Sequence, residues 1–324
     1  MGTLGVILIV MGGLAAAPVL GLLALWVIGE RGHVFGLPST RLAIRQRESS
    51  KLDSATGRPV GGGTPNTPIK LLHGYVYARF ANQYIDFAIK HLLPRMSPGF
   101  KETWADHYHG KVLTPELASA IITLDHDIPL TDLEQIIPYP TARQIVLDGP
   151  PEVVAFDCPC RASRENPCQP VQVCMIIGDG GFVLDHHPNA SRRLSQQEAL
   201  DLLKAEHERG HVHVAYFKDA CNDRFYAICN CCTCCCGGLE AMRGGMPKVA
   251  ASGYLAVVDE AACQGCETCA DLCPFGAIAV NGHAAVRVEA CMGCGVCVDH
   301  CPNGALALVE DARRGIPLDV RKLG

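Results

Sequence analysis

The sequence predicts an α+β protein in three parts: an N-terminal transmembrane helix, a helical then α+β cysteine-rich body, and a small repeat-built C-terminal unit. Three observations carry this. Residues 4–28 form an apolar run without a charge. Residues 69–250 pass from apolar residues at helical spacing to short strand-like runs bounded by turn residues. Residues 254–309 repeat themselves at an offset of 28. The expected divisions are 1–29 anchor, 30–68 linker, 69–250 cysteine-rich domain, 251–311 C-terminal domain and 312–324 tail. At ~150 residues per domain, 324 residues agree with about two folded units.

The run Leu4–Ile28 is Leu, Val, Ile, Ala, Gly and Met with Pro18 and Trp26. As a helix it would extend roughly 37 Å, enough to cross ~30 Å of hydrocarbon. Ala15-Ala16-Ala17 resembles a signal-peptide cleavage site, but no basic residue precedes the run, which continues well past the alanines. The basic residues Arg31, Arg41, Arg45, Arg47 and Lys51 follow it. The positive-inside rule then predicts a single-pass inner-membrane protein with its N-terminus outside and everything else cytoplasmic, where thiols stay reduced. Residues 49–68 are rich in Gly, Pro, Ser and Thr and read as a flexible tether.

From Ile69 to Leu93 the spacing of Leu72, Val76, Phe80, Ala88 and Leu92, with Ile85 and Ile89, predicts a helix that packs into its own domain or lies on a membrane. Thr114-Pro115-Glu116 reads as a helix start and Thr131–Glu134 as a capping box, so 69–148 is expected to be helical, with His107 and His109 on the surface. Strands are expected at Glu152–Phe156, His211–Phe217 and Phe225–Ile228. A helix opens at the capping box Ser195–Glu198 and stops before Gly210. Gly178–Gly181 reads as a turn, and no GxGxxG follows a strand.

Cysteine is the outlier. None of the nineteen precedes Cys158; eleven lie between Cys158 and Cys236 and eight between Cys263 and Cys301. This is not the pattern of a small disulfide scaffold. The net charge of −5 excludes a nucleic-acid binder that relies on a strong positive field, and no nucleic-acid partner is expected.

The C-terminal repeat reads Cys263-x2-Cys266-x2-Cys269-x3-Cys273-Pro274, then Cys291-x2-Cys294-x2-Cys297-x3-Cys301-Pro302. Three thiolates so spaced wrap a tight loop around three irons of a cubane, with Gly265 and Gly293 allowing the sharp turn. The fourth cysteine of each run reaches the other cluster. One site is then Cys263, Cys266, Cys269 and Cys301; the other is Cys291, Cys294, Cys297 and Cys273. Zinc would not explain the third cysteine of each triplet, the distant fourth or the following proline. Residues 254–309 resemble the bacterial-type 2[4Fe-4S] ferredoxins, a sixth of the chain with all eight ligand positions and both prolines. The resemblance implies a ferredoxin-like dicluster domain, two [4Fe-4S] clusters and low-potential one-electron transfer.

Upstream, the cysteines are Cys158, Cys160, Cys168 and Cys174, then Cys221, and then the run Cys229, Cys231, Cys232, Cys234, Cys235 and Cys236; all but Cys221 are candidate ligands. Six in eight residues exceed any packing need, and a run of idle thiols is an oxidation hazard. The pattern predicts one or two additional [4Fe-4S] clusters, with the ligand subset open. Neighbours on an extended strand point to opposite faces, so not all six can reach one cube. Arg161 and Arg164 either pair with cluster charge or lie on the surface; His186-His187 reads as a turn, and His211 and His213 share a strand face. The CPCR, scattered-cysteine and CNCC order resembles the segment preceding the ferredoxin domain in some iron–sulfur proteins of anaerobic microbes. Cys235-Cys236-Gly237 is similar to the CCG element of heterodisulfide-reductase-like subunits, though the second such element is missing.

These readings converge on a membrane-anchored electron carrier. Its partners would be the lipid bilayer, through residues 4–28, and redox proteins, among them a membrane oxidoreductase. Two alternatives stand beside it: an oxidoreductase with a catalytic cluster in 158–236 that reduces a disulfide or a small molecule, and a redox or oxygen sensor.

Overall fold

The computed structural model describes residues 68–324 apart from positions 179, 222 and 324, together with helical backbone at 20, 21, 23–25, 27 and 28. Most of the apolar run 4–28 and the linker lie outside the described residues. Among those described, no helix is long and apolar enough to cross a membrane. The single-pass anchor and the inner-membrane placement built on it are therefore corrected, because a span needs a helix of ~20 apolar residues and no helix among the described residues is one.

The body opens with α1 (Pro68–Arg79) and α2 (Ala81–Phe87), which widens into a π-turn (Ala88–Leu92) and then tightens into a 3-10 turn (Leu93–Arg95). Ile85 and Ile89 are buried, whereas Leu72 and Phe87 are exposed, so this segment packs only one face. After α3 (Pro98–His107) the chain enters β1 (Tyr108–Leu113), α4 (Pro115–Ile122), β2 (Ile128–Asp132) and β3 (Gln144–Leu147). Thr114 caps α4 through the Leu117 amide, as its sequence predicts. The all-helical expectation for 69–148 fails at β1. Every residue of that strand is buried, including His109, which stacks 4.0 Å from the Tyr139 ring rather than lying on the surface. The capping-box reading of Thr131–Glu134 fails too, since Thr131 and Asp132 pair in β2 with Ile145 and Gln144.

Next come β4 (Val153–Asp157), α5 (Pro159–Ala162), β5 (Gln172–Ile177), α6 (Gly181–His186), β6 (Ser191–Leu194), α7 (Gln196–Glu208), β7 (Val212–Lys218), β8 (Arg224–Cys231), α8 (Gly237–Arg243) and β9 (Val249–Ala250). Ser195 and Glu198 form the expected capping box, and Gly210 follows α7 at φ 77°. The main sheet runs β6-β4-β5-β8-β7-β1-β9, with β2 and β3 attached beside β8. Alternation sorts its side chains. Leu113, Ala215 and Phe217 face α4 and α7, with Leu117, Ile121 and Leu203. Val112, Val214 and Tyr216 face the other side, with Ile85, Cys231 and Cys236. Both faces are covered, so β7 is buried along its whole length.

The C-terminal unit holds two ribbons, β10 (Tyr254–Val258) with β13 (Leu306–Glu310) and β11 (Ile278–Asn281) with β12 (His283–Val286), plus α9 (Thr268–Leu272) and α10 (Val296–Asp299). It docks on the body through apolar and polar contacts. Met292, Cys294 and Val296 share one apolar core with Val212, Val214, Cys231 and Cys236. Across the join, His300 Nε2 lies 3.1 Å from the Glu208 carbonyl oxygen.

Candidate metal centres

In the C-terminal unit the repeat becomes two matching loops. Gly265 and Gly293 sit at φ 66° and 63°. A Cβ at Gly265 would collide with the Gly282 carbonyl oxygen, and one at Gly293 with that of Tyr254, so both positions require glycine for conformation and for space. Glu267 and Gly295, also 28 apart, take left-handed φ immediately before α9 and α10. The loops gather Cys263, Cys266, Cys269 and Cys301 around one small cavity, and Cys273, Cys291, Cys294 and Cys297 around another. Each cavity thus draws its fourth cysteine from the opposite half of the repeat. Backbone amides already point at sulfur: Ala277 N at 3.2 Å from Cys273 Sγ, Ala305 N at 3.3 Å from Cys301 Sγ, and Ala284 N at 3.4 Å from Cys263 Sγ. Four thiols per cavity, amide donors and glycines where no Cβ fits form a donor set suited to an anionic iron–sulfur cluster.

The two cavities differ in exposure. Cys266 is exposed and Cys263 half-buried, while Cys291, Cys294 and Cys297 are buried. Burial pushes the Cys294 thiol up to about 12, so it keeps its proton until a metal displaces it. The second cavity is the inner one and faces the body.

Upstream, five elements converge. Strand β4 ends at Cys158, and α5 carries Cys160 and Arg161 behind Pro159. Cys174 lies on β5, Cys229 and Cys231 on β8, and Cys236 leads into α8. Thiol contacts run in a chain Cys229–Cys174–Cys158–Cys160–Cys236–Cys231, with Cys174 and Cys229 Sγ 3.7 Å apart. A second group forms on the other side of the backbone. Cys168, Cys232 and Cys234 place their Sγ atoms within 4.8 Å of one another. Cys235 Sγ lies 3.5 Å from Cys234 Sγ and 3.4 Å from the Cys168 amide nitrogen. Neighbouring cysteines are sorted between groups, Cys231 and Cys236 to the first, Cys232 and Cys235 to the second: alternation separates Cys231 from Cys232 at the end of β8, and a turn over 233–235, closed by the Cys236 amide on the Cys232 carbonyl at 3.2 Å, brings Cys236 back to the first group. All nineteen cysteines are free thiols, and Cys221 stands apart from both groups near Lys218.

Arg161 is wholly buried rather than a surface arginine. Its Nη2 lies 2.6 Å from Glu206 Oε2 and 3.2 Å from the Asn230 carbonyl oxygen, and its Nη1 donates to the Pro170 carbonyl. Arg164 pairs with Glu240 and donates to the Cys235 carbonyl at 3.0 Å. His211 joins Glu206 at 2.7 Å through Nδ1, and its Nε2 lies 3.8 Å from Cys168 Sγ. His213 points to Asn230 at 2.6 Å. His186 and His187 are both buried, closing the end of α6 against α1.

The six-thiol group borders an apolar cavity of about 110 Å³. Its far wall holds a tyrosine cluster that no motif announced. Tyr77 Oη lies 2.6 Å from Tyr226 Oη and 3.4 Å from Tyr108 Oη. Lys248 Nζ sits 3.6 Å from the Tyr108 ring centroid, and burial lowers its ammonium to about 8. The only sequence signal was positional: Tyr77 and Tyr84 lie seven apart, two helical turns, on one face.

The geometry of the C-terminal loops agrees with a comparison to known families. Residues 255–302 match a family model described as a 4Fe-4S dicluster domain. No curated protein matches the chain. The dicluster domain supports [4Fe-4S] clusters and, with the many cysteines, an iron–sulfur electron-transfer function. The match ends before residue 303 and does not extend to the upstream cysteines.

Proposed function

We propose that the chain is an electron-transfer protein in which the dicluster domain passes single electrons between a redox partner and the upstream cysteine region. Cys263, Cys266, Cys269 and Cys301 hold the outer cluster; Cys273, Cys291, Cys294 and Cys297 hold the inner one. Cys168, Cys232, Cys234 and Cys235 hold a further [4Fe-4S] cluster. Bound clusters supply one-electron redox chemistry, and the protein supplies ligands, amide hydrogen bonds and exclusion of water.

The observation that carries this reading is the shared apolar core. Cys294 of the inner site packs in the same cluster of side chains as Cys231 and Cys236. The exposed Cys266 side then faces a soluble or docked redox protein, and the buried side faces the body. The two ends suit electron entry and delivery.

A second reading, in which the upstream region is catalytic, is favoured by the cavity beside its thiols. Anaerobic purification with iron and sulfide counting tests the first reading. About twelve irons per chain are expected, about eight from the dicluster domain and about four from the Cys168 site. Colourless, iron-free material overturns it. Adding small disulfides or other reducible molecules separates the two readings, since only a catalytic centre should change its EPR signal.

A further inference from the structure

The six-thiol group is separate from the four around Cys232, and six thiolates are more than a single iron–sulfur cube uses. We propose that Cys158, Cys160, Cys174, Cys229, Cys231 and Cys236 together ligate a second upstream iron–sulfur centre, polynuclear and held by more than four thiolates, with Lys248 as its buried counter-cation. The inference rests on the electron-transfer reading above and deepens it by naming the centre at which the path ends.

Donor chemistry comes first. The group is all sulfur and shielded from solvent, which suits iron–sulfur clusters, zinc or Cu(I). Structural zinc takes four ligands in a tetrahedron, so a connected chain of six thiols overfills it. The thiols come from the end of β4, from β5 and β8 of the same sheet, and from α5 and the entry to α8 packed beside it, so the arrangement is held by regular structure.

Space is the second argument. The adjoining cavity of about 110 Å³ far exceeds the ~10–15 Å³ that one water needs, and its walls are mostly apolar. Two glycines keep α8 close to it. A Cβ at Gly237 would strike Ile89, and one at Gly238 the Tyr216 hydroxyl.

Charge is the third. Lys248 is 8% exposed and lines the same cavity, facing Cys160, Cys229 and Cys236. No carboxylate among the described residues pairs with it; its neighbours are the faces of Tyr108 and Tyr216 and a second buried ammonium, Lys218, which sits over the same Tyr108 ring. A buried ammonium without an anion is costly, and a thiolate-ligated cluster supplies that anion. Loading takes up ferrous and ferric iron with sulfide, so that no further oxidant is needed, and each thiol that binds releases its proton to solvent.

The test uses the full chain, purified without air and loaded with ferrous and ferric iron and sulfide. Iron, sulfide, zinc and copper are counted in the wild type, Cys174→Ser/Cys229→Ser, Cys168→Ser/Cys234→Ser and Lys248→Met. More than about twelve irons per chain are expected in the wild type. The Cys174/Cys229 pair should lose at least about four of them while keeping the EPR signals of the dicluster domain and of the centre that the Cys168/Cys234 pair removes. Lys248→Met should keep its iron and move one signal, the one absent from the Cys174/Cys229 pair, to lower potential. That shift also carries the test if the double variant does not fold. About twelve irons with no loss in the Cys174/Cys229 pair, zinc or copper in the chamber, or no shift in Lys248→Met overturns the inference and leaves the electron-transfer reading standing. An iron-free chain overturns both.

Discussion

His207 Nε2 lies 2.6 Å from Asp299 Oδ2, joining the last turn of α7 to the helix between the third and fourth cysteines of the second repeat. Beside it, His300 Nε2 lies 3.1 Å from the Glu208 carbonyl oxygen. Together with the apolar contact of Val296, these bonds set how the inner cavity faces the body. Asp299 is half exposed, so Asp299→Ala should cost at most about 1 kcal/mol of stability. The dock should loosen all the same. Hydrogen exchange is expected to speed up over residues 296–300 and stay unchanged in β7; equal protection in both variants would show that the apolar contact alone holds the dock.

The Arg161–Glu206 pair is wholly buried on both sides. Removing one partner leaves an uncompensated buried charge, which costs about 3–5 kcal/mol. Glu206→Gln should therefore lower the unfolding free energy by that amount in anaerobic denaturant titrations. It should also disturb the Cys168 side, because Glu206 orients His211 against it. A loss below about 1 kcal/mol would mean that the carbonyls of Pro170 and Asn230 suffice for Arg161.

Two glycines of the dicluster domain separate space from conformation. Gly293 and Gly276 both have positive φ, but only Gly293 lacks room for a Cβ. Gly293→Ala should abolish loading of the inner site, a loss of about four irons. Gly276→Ala should keep the iron and cost about 1–2 kcal/mol. Iron counting and thermal unfolding of the two variants check both halves.

Exposure orders the fate of the two dicluster sites in air. Cys266 is exposed, whereas all three loop cysteines of the inner site are buried. The outer cluster should bleach first, seen as loss of one of two EPR signals before the other. Simultaneous loss would show that burial does not protect the inner site.

His109 makes stability depend on pH. Burial holds its imidazole down at about 4, against 6.5 in the unfolded chain. Between these values the unfolded state binds the extra proton. The contribution is complete above pH 6.5 and is lost as pH falls through that window, by about 2 kcal/mol at pH 5. Denaturant titrations at pH 7.5 and 5 should show this loss in the wild type, and a smaller one in His109→Gln.

Local signals proved legible where one residue type forces one geometry. The caps at Thr114 and Ser195 behave as their side-chain chemistry requires. Strand β8 was anticipated only as far as Ile228, yet it continues to Cys231, because cysteine carries little strand signal of its own. Strand β1 was missed. Tyr108–Leu113 includes His109 and Lys111, polar residues buried only because neighbouring strands and α3 cover them. The tyrosine wall was missed for the same reason: Tyr77, Tyr108 and Tyr226 meet from three distant segments.

By itself the sequence determined the dicluster repeat, because cluster ligation demands a fixed short spacing that one stretch of chain contains. Strand alternation accounts for the split of the crowded cysteines at 229–236 only as far as Cys231 and Cys232; the turn over 233–235 sorts the rest. Tertiary structure alone decided which thiols meet. Cys158 follows directly on β4 while Cys174 and Cys229 stand on β5 and β8, and only the order of those strands in the sheet makes them neighbours. It alone also decided that Lys248 faces them and that Cys294 abuts their core, since these contacts depend on how two folded units pack.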